Sequence, residues 1–285
     1  MGNWLKSLGF PVSAMEVSSG TNRRLPQMAS ELIRYRDLLF ILAWKDIKVR
    51  YKQSIMGFLW AILMPLLIIT ASILVRLVFS LASGKTVTFS DSVSVGLKAL
   101  PWSFFVSSIR FATTSLSANA NLVSKIYFPR EVLPLSAVLA SLVDFGVASA
   151  AMVMVLVVGR VGISIHLVWL PVLVLLLIVL TAGLGILLSC MNLFFRDVKY
   201  LVEILLMFGI LFTPVFFEAR TLGKWAPILL LNPVGTILES INDVVIRHSA
   251  PNYGWVLYAA CWAYFGFLVS WKIFDSAEAY FAESI

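Results

Sequence analysis

The sequence predicts an all-α integral membrane protein with six transmembrane helices, and three observations carry that prediction. Hydrophobic residues fill 60% of the 285 positions and charged residues only 13%, about half the charged share of soluble domains. Mean hydropathy is +0.93. Apolar stretches of about 20 residues, the length a bilayer core requires, recur between short polar segments. A water-soluble domain of ordinary size has room only near the start of the chain.

The net charge of +7 is concentrated before the first apolar stretch, in Arg23, Arg24, Arg34, Arg36, Lys45, Lys48, Arg50 and Lys52. That is the positive-inside pattern of a cytoplasmic N-terminus and not a nucleic-acid footprint. Cys190 and Cys261 lie in or beside apolar stretches and give no disulfide framework.

Residues 1–29 read as a flexible cytoplasmic lead without the apolar core of a signal peptide. Residues 30–55 read as an amphipathic interface helix. Ile33, Phe40, Trp44, Ile47 and Tyr51 share one helical face, while Arg34, Asp37, Lys45, Asp46, Lys48 and Arg50 occupy the others. Such a helix is expected along the headgroups. Residues 56–274 then form a single six-span domain, and 275–285 a cytoplasmic tail.

The first span is expected over 57–79, kinked at Pro65, with Arg76 snorkelling at its far end. The linker 80–98 is polar and expected outside. Its Gly84-Lys85-Thr86 matches the end of a phosphate-binding loop, but Phe79 stands where that motif needs its first glycine. The second span, 99–120, is far wetter, with Ser103, Ser107, Ser108, Arg110, Thr113, Thr114, Ser115 and Ser117. It should line a watery passage or another helix. Trp102, Phe104 and Phe105 cluster near its start, where an aromatic belt at the outer interface is the commoner explanation.

The third span, 132–158, carries one acid, Asp144, with no second acid or histidine placed for a proton relay. Helix pairing or a cavity-facing role is the better reading. The fourth, 167–189, is almost pure Leu, Val and Ile and is expected against lipid. The fifth, 201–217, is at the short limit for a crossing. Residues 218–253 hold Pro227, Asn232-Pro233, Gly235 and Pro251 among apolar pieces too short to span, which fits outer re-entrant helices. The last span, 254–273, returns the C-terminus to the cytoplasm and leads to Asp275, Glu278 and Glu283.

Between the second and third spans lies Asn121-Leu-Val-Ser-Lys125-Ile-Tyr127-Phe128-Pro129-Arg130-Glu131-Val-Leu-Pro134. It fits two readings, an ordinary basic loop or a short ring-bearing helix that serves as a handle at the membrane surface. Enzyme chemistry finds no support. His166 and His248 have no clustered ligands around them, and no nucleophile–base constellation or Walker motif is present. No cofactor is expected on this chain.

That string, together with Arg196-Asp197-Val198, Thr213-Pro214-Val215, Leu231-Asn232-Pro233 and Glu278-Ala-Tyr-Phe281-Ala-Glu283, resembles the permease subunit of type 2 ABC exporters of bacterial cell-surface polysaccharide. The nearest group is the O-antigen (lipopolysaccharide) exporters, with capsule and teichoic-acid exporters beside them. The likeness runs from about Glu31 to Ile285 and carries several implications. The permease would be a homodimer in the bacterial inner membrane with both termini cytoplasmic. Two copies of a separate cytoplasmic ATPase would bind the ATP and Mg. A coupling helix with Lys125, Tyr127, Phe128, Pro129, Arg130 and Glu131 would dock in the ATPase, and outer re-entrant helices would gate the far side. The substrate implied is a glycan on undecaprenyl diphosphate. Phe58, Trp60, Trp102, Phe104 and Phe105 would then be channel rings, because sugar C–H faces pack on aromatic faces. Arg50, Lys52 and Arg196 would hold the diphosphate, or serve only as topogenic charge. Competing readings are a drug or lipid exporter of the same superfamily and a membrane glycosyltransferase, the latter needing an acid or histidine cluster that the sequence lacks.

Overall fold

The computed structural model describes residues 25–52, 63, 67–71, 73–74, 78, 81, 89–126, 128–278 and 281. Regular structure among the described residues is helical throughout, as expected where lipid can satisfy no backbone hydrogen bond. The helices are α1 (Leu25–Arg34), α2 (Arg36–Lys52), α3 (Phe89–Ala118), α4 (Ala120–Lys125), α5 (Val132–Val158), α6 (Leu170–Phe194), α7 (Val198–Gly209), α8 (Ala226–Leu230), α9 (Pro233–Val245) and α10 (Tyr253–Glu278). Short 3₁₀ segments, Ile165–Trp169 and Ala219–Trp225, precede α6 and α8.

Three of the described helical stretches are long and apolar enough to cross a membrane: Val132–Val158, Ile165–Phe194 and Tyr253–Glu278. Most of the expected first span, including Phe58, Trp60, Pro65 and Arg76, lies outside the described residues. Where it is described it is helical, and Ile69 is buried beside Gly96 of α3.

Four sequence expectations are corrected. The segment 80–98 is not all exposed linker, for α3 begins at Phe89 and residues 93–100 are buried, Lys98 included. The fourth span does not simply face lipid. Leu173, Leu177, Leu180 and Ile186 of α6 are buried, and the helix packs between α3, α5 and α10. Small residues permit this. A Cβ added at Gly183 would lie 2.8 Å from the Phe267 Cα of α10, and one at Gly185 would lie 2.9 Å from the Ala112 Cβ of α3, the close approach that glycine allows between membrane helices. The fifth apolar stretch is not one helix, because α7 stops at Gly209 after 12 residues, about 18 Å. Last, the stretch read as one interface helix begins earlier and breaks at Tyr35. Its second part, α2, packs lengthwise on α5, so that Arg50 reaches Asp144, well inside that helix.

Beyond α7 the chain turns back through short pieces, and side chains satisfy the carbonyls and donors that a continuous helix would have paired. Lys98 Nζ donates to the Phe217 carbonyl at 2.6 Å, Thr236 Oγ1 to Leu230 O at 2.7 Å, and Tyr258 Oη to Leu231 O at 2.7 Å. Asn232 caps α9 by accepting from the Val234 N–H and donates to Thr213 Oγ1 at 2.9 Å. At Gly235 any side chain would strike the Pro214 ring, whose Cδ lies 2.9 Å from a built Cβ. Broken backbone in a greasy chain survives only when it is paired in this way. Every residue of α9 from Val234 to Val245 is buried.

Candidate functional site

Two ends of the bundle carry most of the polar structure. One end collects α1, α4, the turn 128–131, the α6–α7 turn and the last turns of α10. The other collects the 3₁₀ segments, α8 and α9.

At the first end the chain leaves α3 through a one-residue turn at Asn119 and enters α4. Asn119 fixes the junction, donating to Ser115 O at 2.8 Å and accepting from Lys45 Nζ of α2 at 3.0 Å. The structure divides the expected coupling residues into two groups. Lys125 is exposed, as are its neighbours Asn121, Ser124 and Ile126. Phe128 and Pro129 are buried, Arg130 is partly buried, and Glu131 is fully buried. Tyr127 lies outside the described residues. Nearby, Asn192 is buried and joins three helices: it donates to Ser117 Oγ of α3 at 3.3 Å and accepts from the Lys199 N–H of α7 at 3.2 Å. It thereby holds the turn carrying exposed Arg196 and Asp197.

One face of α3 is polar and partly exposed. Ser103, Ser107, Arg110, Thr114 and Ser117 recur at three- and four-residue spacing on one helical face. The hydroxyls of Ser107, Thr114 and Ser117 donate to carbonyls of their own helix, at Phe104, at Arg110 and Phe111, and at Thr114 respectively. That leaves the oxygens of Ser107 and Thr114 able to accept, while that of Ser117 already accepts from Asn192. At the middle of this face Arg110 makes a two-pronged pair with Glu203 of α7, Nε to Oε1 at 2.6 Å and Nη2 to Oε2 at 2.8 Å. Arg110 is 50% exposed and Glu203 45%. A cavity of about 400 Å³ opens beside the pair, lined by Trp102, Val106, Arg110, Glu203, Met207 and Ile210 among others. An ion pair is costly against hydrocarbon, so this face suits water or another protein surface.

The rings expected to line a channel sit elsewhere. Phe104 packs on Phe145 of α5 at 5.2 Å, and Phe105 on Trp102 at 5.6 Å, all three candidates being buried. Only Trp102 also borders the cavity. Phe58 and Trp60 lie outside the described residues. The polar stripe was present in the sequence at helical spacing. Its pairing with Glu203 was not, since that requires α7 to fold back on α3.

Of the basic residues assigned to a diphosphate, Lys52 and Arg196 are exposed. Arg50 is already engaged: Nη1 lies 2.7 Å from Asp144 Oδ2, Nη2 donates to Ser141 Oγ at 3.2 Å, and the guanidinium sits 3.9 Å over the Phe111 ring. Tyr51 donates to the other Asp144 oxygen at 2.7 Å. Burial, with the Asp144 carboxylate beside it, pushes the Tyr51 phenol well above its ordinary range, so the hydroxyl keeps the proton it donates.

At the other end the charges are denser. Lys98 has no exposed side chain and lies 3.4 Å from Glu239 Oε2 of α9. Arg247 pairs with Glu218, with Asp243 at 2.5 Å and with Glu239 at 3.7 Å. Arg220 adds a contact to Asp243 at 3.1 Å. Three basic and three acidic groups thus balance around α9. Ser94 Oγ meets Asn242 Oδ1 at 2.6 Å in the same region. Among the described residues no group of three His, Cys, Asp or Glu is arranged to hold a metal.

Comparison with known proteins accords with this architecture. The model of the ABC-2 type transporter family matches residues 37–245. The O-antigen export system permease protein RfbA of Myxococcus xanthus is 30% identical over 263 residues, covering 91% of this chain and 99% of that protein. A Klebsiella pneumoniae protein of the same name is 30% identical over 250 residues, 87% of this chain and 94% of its own length. With the family model matching most of its length and relatives aligned nearly end to end, the chain belongs to the ABC-2 type transporter family.

Proposed function

We propose that the chain is the membrane permease subunit of an ATP-driven exporter that carries lipid-linked O-antigen polysaccharide from the cytoplasm to the periplasm of a bacterium. Two copies form the conduit in the inner membrane, each crossing six times with both termini in the cytoplasm. Each copy docks one separate ATPase subunit, which binds the ATP and Mg. This chain is a transport subunit and carries no catalytic group of its own. The names of its relatives support the substrate class.

One observation carries the reading: the half-exposed Arg110–Glu203 pair in the middle of the polar stripe of α3. That face is unfit for lipid and suited to a polymer of hydroxylated rings, because serine and threonine oxygens exchange hydrogen bonds with sugar hydroxyls. We assign the stripe to the polymer path. The undecaprenyl diphosphate that anchors the glycan would meet Lys52 and Arg196 at the cytoplasmic mouth. Arg50, neutralised by Asp144, is assigned instead to holding α2 on the bundle. The exposed residues of α4, Lys125 foremost, form the docking point for the ATPase, and the buried turn Phe128–Glu131 passes its movement inward. The balanced charges around α9 keep the outer hairpin closed.

Deleting the gene tests this directly. Lipid-linked O-antigen should accumulate on the cytoplasmic leaflet while its synthesis continues, and the intact gene should restore surface display. Normal surface O-antigen in the deletion strain contradicts the proposal.

A further inference from the structure

On the reading that α4 receives the movement of an ATPase, the turn following it is gripped a second time from inside the permease, by Phe281, a helical residue near the C-terminus. Phe281 has no solvent exposure. Its ring meets Phe274 of α10 edge-on at 5.2 Å and Phe194 at the end of α6 at 5.8 Å. The Arg130 guanidinium lies over the same ring at 5.6 Å. Arg130 also donates through Nη1 to the Glu278 carbonyl at 2.7 Å, with the Glu278 carboxylate 4.0 Å away. Glu131, the next residue, accepts from Trp271 Nε1 of α10 at 3.4 Å. Two consecutive residues of the turn are therefore tied to the last turns of α10 and to Phe281.

The covalent chain joins this turn only to α3, through α4, and to α5. A loop fastened to two helices can swing without moving a third. Here the third is fastened too, and by chemistry suited to stiffness. A guanidinium is planar, cannot lose its charge, and can stack on a ring while its N–H groups hold a carbonyl. Phe281 further belongs to one apolar cluster with Val123 of α4, Phe128 of the turn, Leu116 of α3, Val132 of α5 and Leu193 of α6. Displacing α4 alone would have to open that cluster, which packed interiors resist.

We propose that Phe281 is a positioning residue for transport: together with Arg130 it locks the turn 128–131 to α10, so that displacement of α4 moves the last membrane helix along with α3 and α5. Without the ring the ATPase still docks and hydrolyses ATP, but the stroke dissipates in the turn.

The test uses the full permease with its ATPase subunit, purified together and reconstituted in vesicles, reading ATP hydrolysed and lipid-linked glycan carried. Phe281→Ala should retain the ATPase subunit and its hydrolysis, while glycan moved per ATP falls on the order of tenfold, within the range seen when coupling networks are cut. Phe281→Trp should restore the ratio. Arg130→Lys should behave like the alanine variant, because an ammonium keeps the charge but loses the planar fork. Where the alanine variant fails to accumulate, Phe281→Leu carries the same expectation with most of the apolar bulk kept. An unchanged ratio in the alanine or leucine variant overturns the proposal. So does a fall in transport that comes with loss of the ATPase subunit and that tryptophan leaves unrepaired, for Phe281 would then serve the fold alone. A separate arm, Lys125→Glu, examines the docking point itself. If that variant still retains its ATPase subunit, the docking reading fails and takes the lock with it, on evidence independent of Phe281.

Discussion

Arg50 of α2 and Asp144 of α5 lie 2.7 Å apart, far from each other in sequence, and their pairing fixes the N-terminal helix to the membrane bundle. Tyr51 takes the second carboxylate oxygen at 2.7 Å, so the acid is fully employed. Asp144→Ala should strand a part-buried guanidinium and destabilise the permease by about 3–5 kcal/mol. A paired Arg50→Met, Asp144→Leu variant should recover most of that loss, because the desolvation of both charges disappears with them. Thermal unfolding of the detergent-solubilised protein checks both. Equal loss in the single and double variants argues against the pairing as the anchor.

Arg110 and Glu203 call for a different outcome, since both are half exposed and their contribution to stability is small, about 0–1 kcal/mol. Reversing one charge, as in Arg110→Glu, should leave the protein folded and nevertheless block surface O-antigen. The exchange Arg110→Glu with Glu203→Arg should restore part of it. Surface glycan measured by antibody binding reads the result.

Gly183 predicts a packing failure. Its absent Cβ would stand 2.8 Å from the Phe267 backbone, and backbone cannot step aside as a side chain can. Gly183→Ala should therefore separate α6 from α10 and destabilise by about 1–3 kcal/mol, the range for overpacked sites. The helix propensity gained from alanine, roughly 1 kcal/mol, does not offset this in the membrane interior. Yield and melting temperature of the purified variant are the measurement.

Lys98 is the buried partner of Glu239 and of the Phe217 carbonyl. Lys98→Met should unlatch the hairpin proposed to lie on the outer side, seen as faster proteolysis within residues 210–232 in right-side-out vesicles. Lys98→Met with Glu239→Met should be less damaging than Lys98→Met alone, because no unpaired acid is left behind.

Much of the architecture was legible because lipid imposes simple rules. The span beginning at Val132, the wet second helix and the broken segment around Pro227 and Asn232-Pro233 all follow from run length, hydroxyl content and proline. The misreadings share a cause. Hydropathy cannot tell a helix facing lipid from one buried in protein, so α6, rich in leucine and valine, reads as lipid-facing although Gly183 and Gly185 admit α10 and α3 against it. Nor does charge announce its partner. Lys98 reads as part of an exposed linker because Glu239, which neutralises it, is far away in sequence. The same blindness applied to Trp102, Phe104 and Phe105, whose rings suit sugar but are buried among helices.

The central proposal for this chain is a conduit driven from outside itself. Purified permease should be placed in vesicles loaded with lipid-linked O-antigen, with and without the separate ATPase subunit, and glycan crossing the bilayer measured on adding ATP and Mg. Crossing should require the ATPase subunit and ATP together, and should cease when Lys125→Glu replaces the native permease. Glycan movement by the permease alone, at the rate seen with the complete assembly, would contradict it.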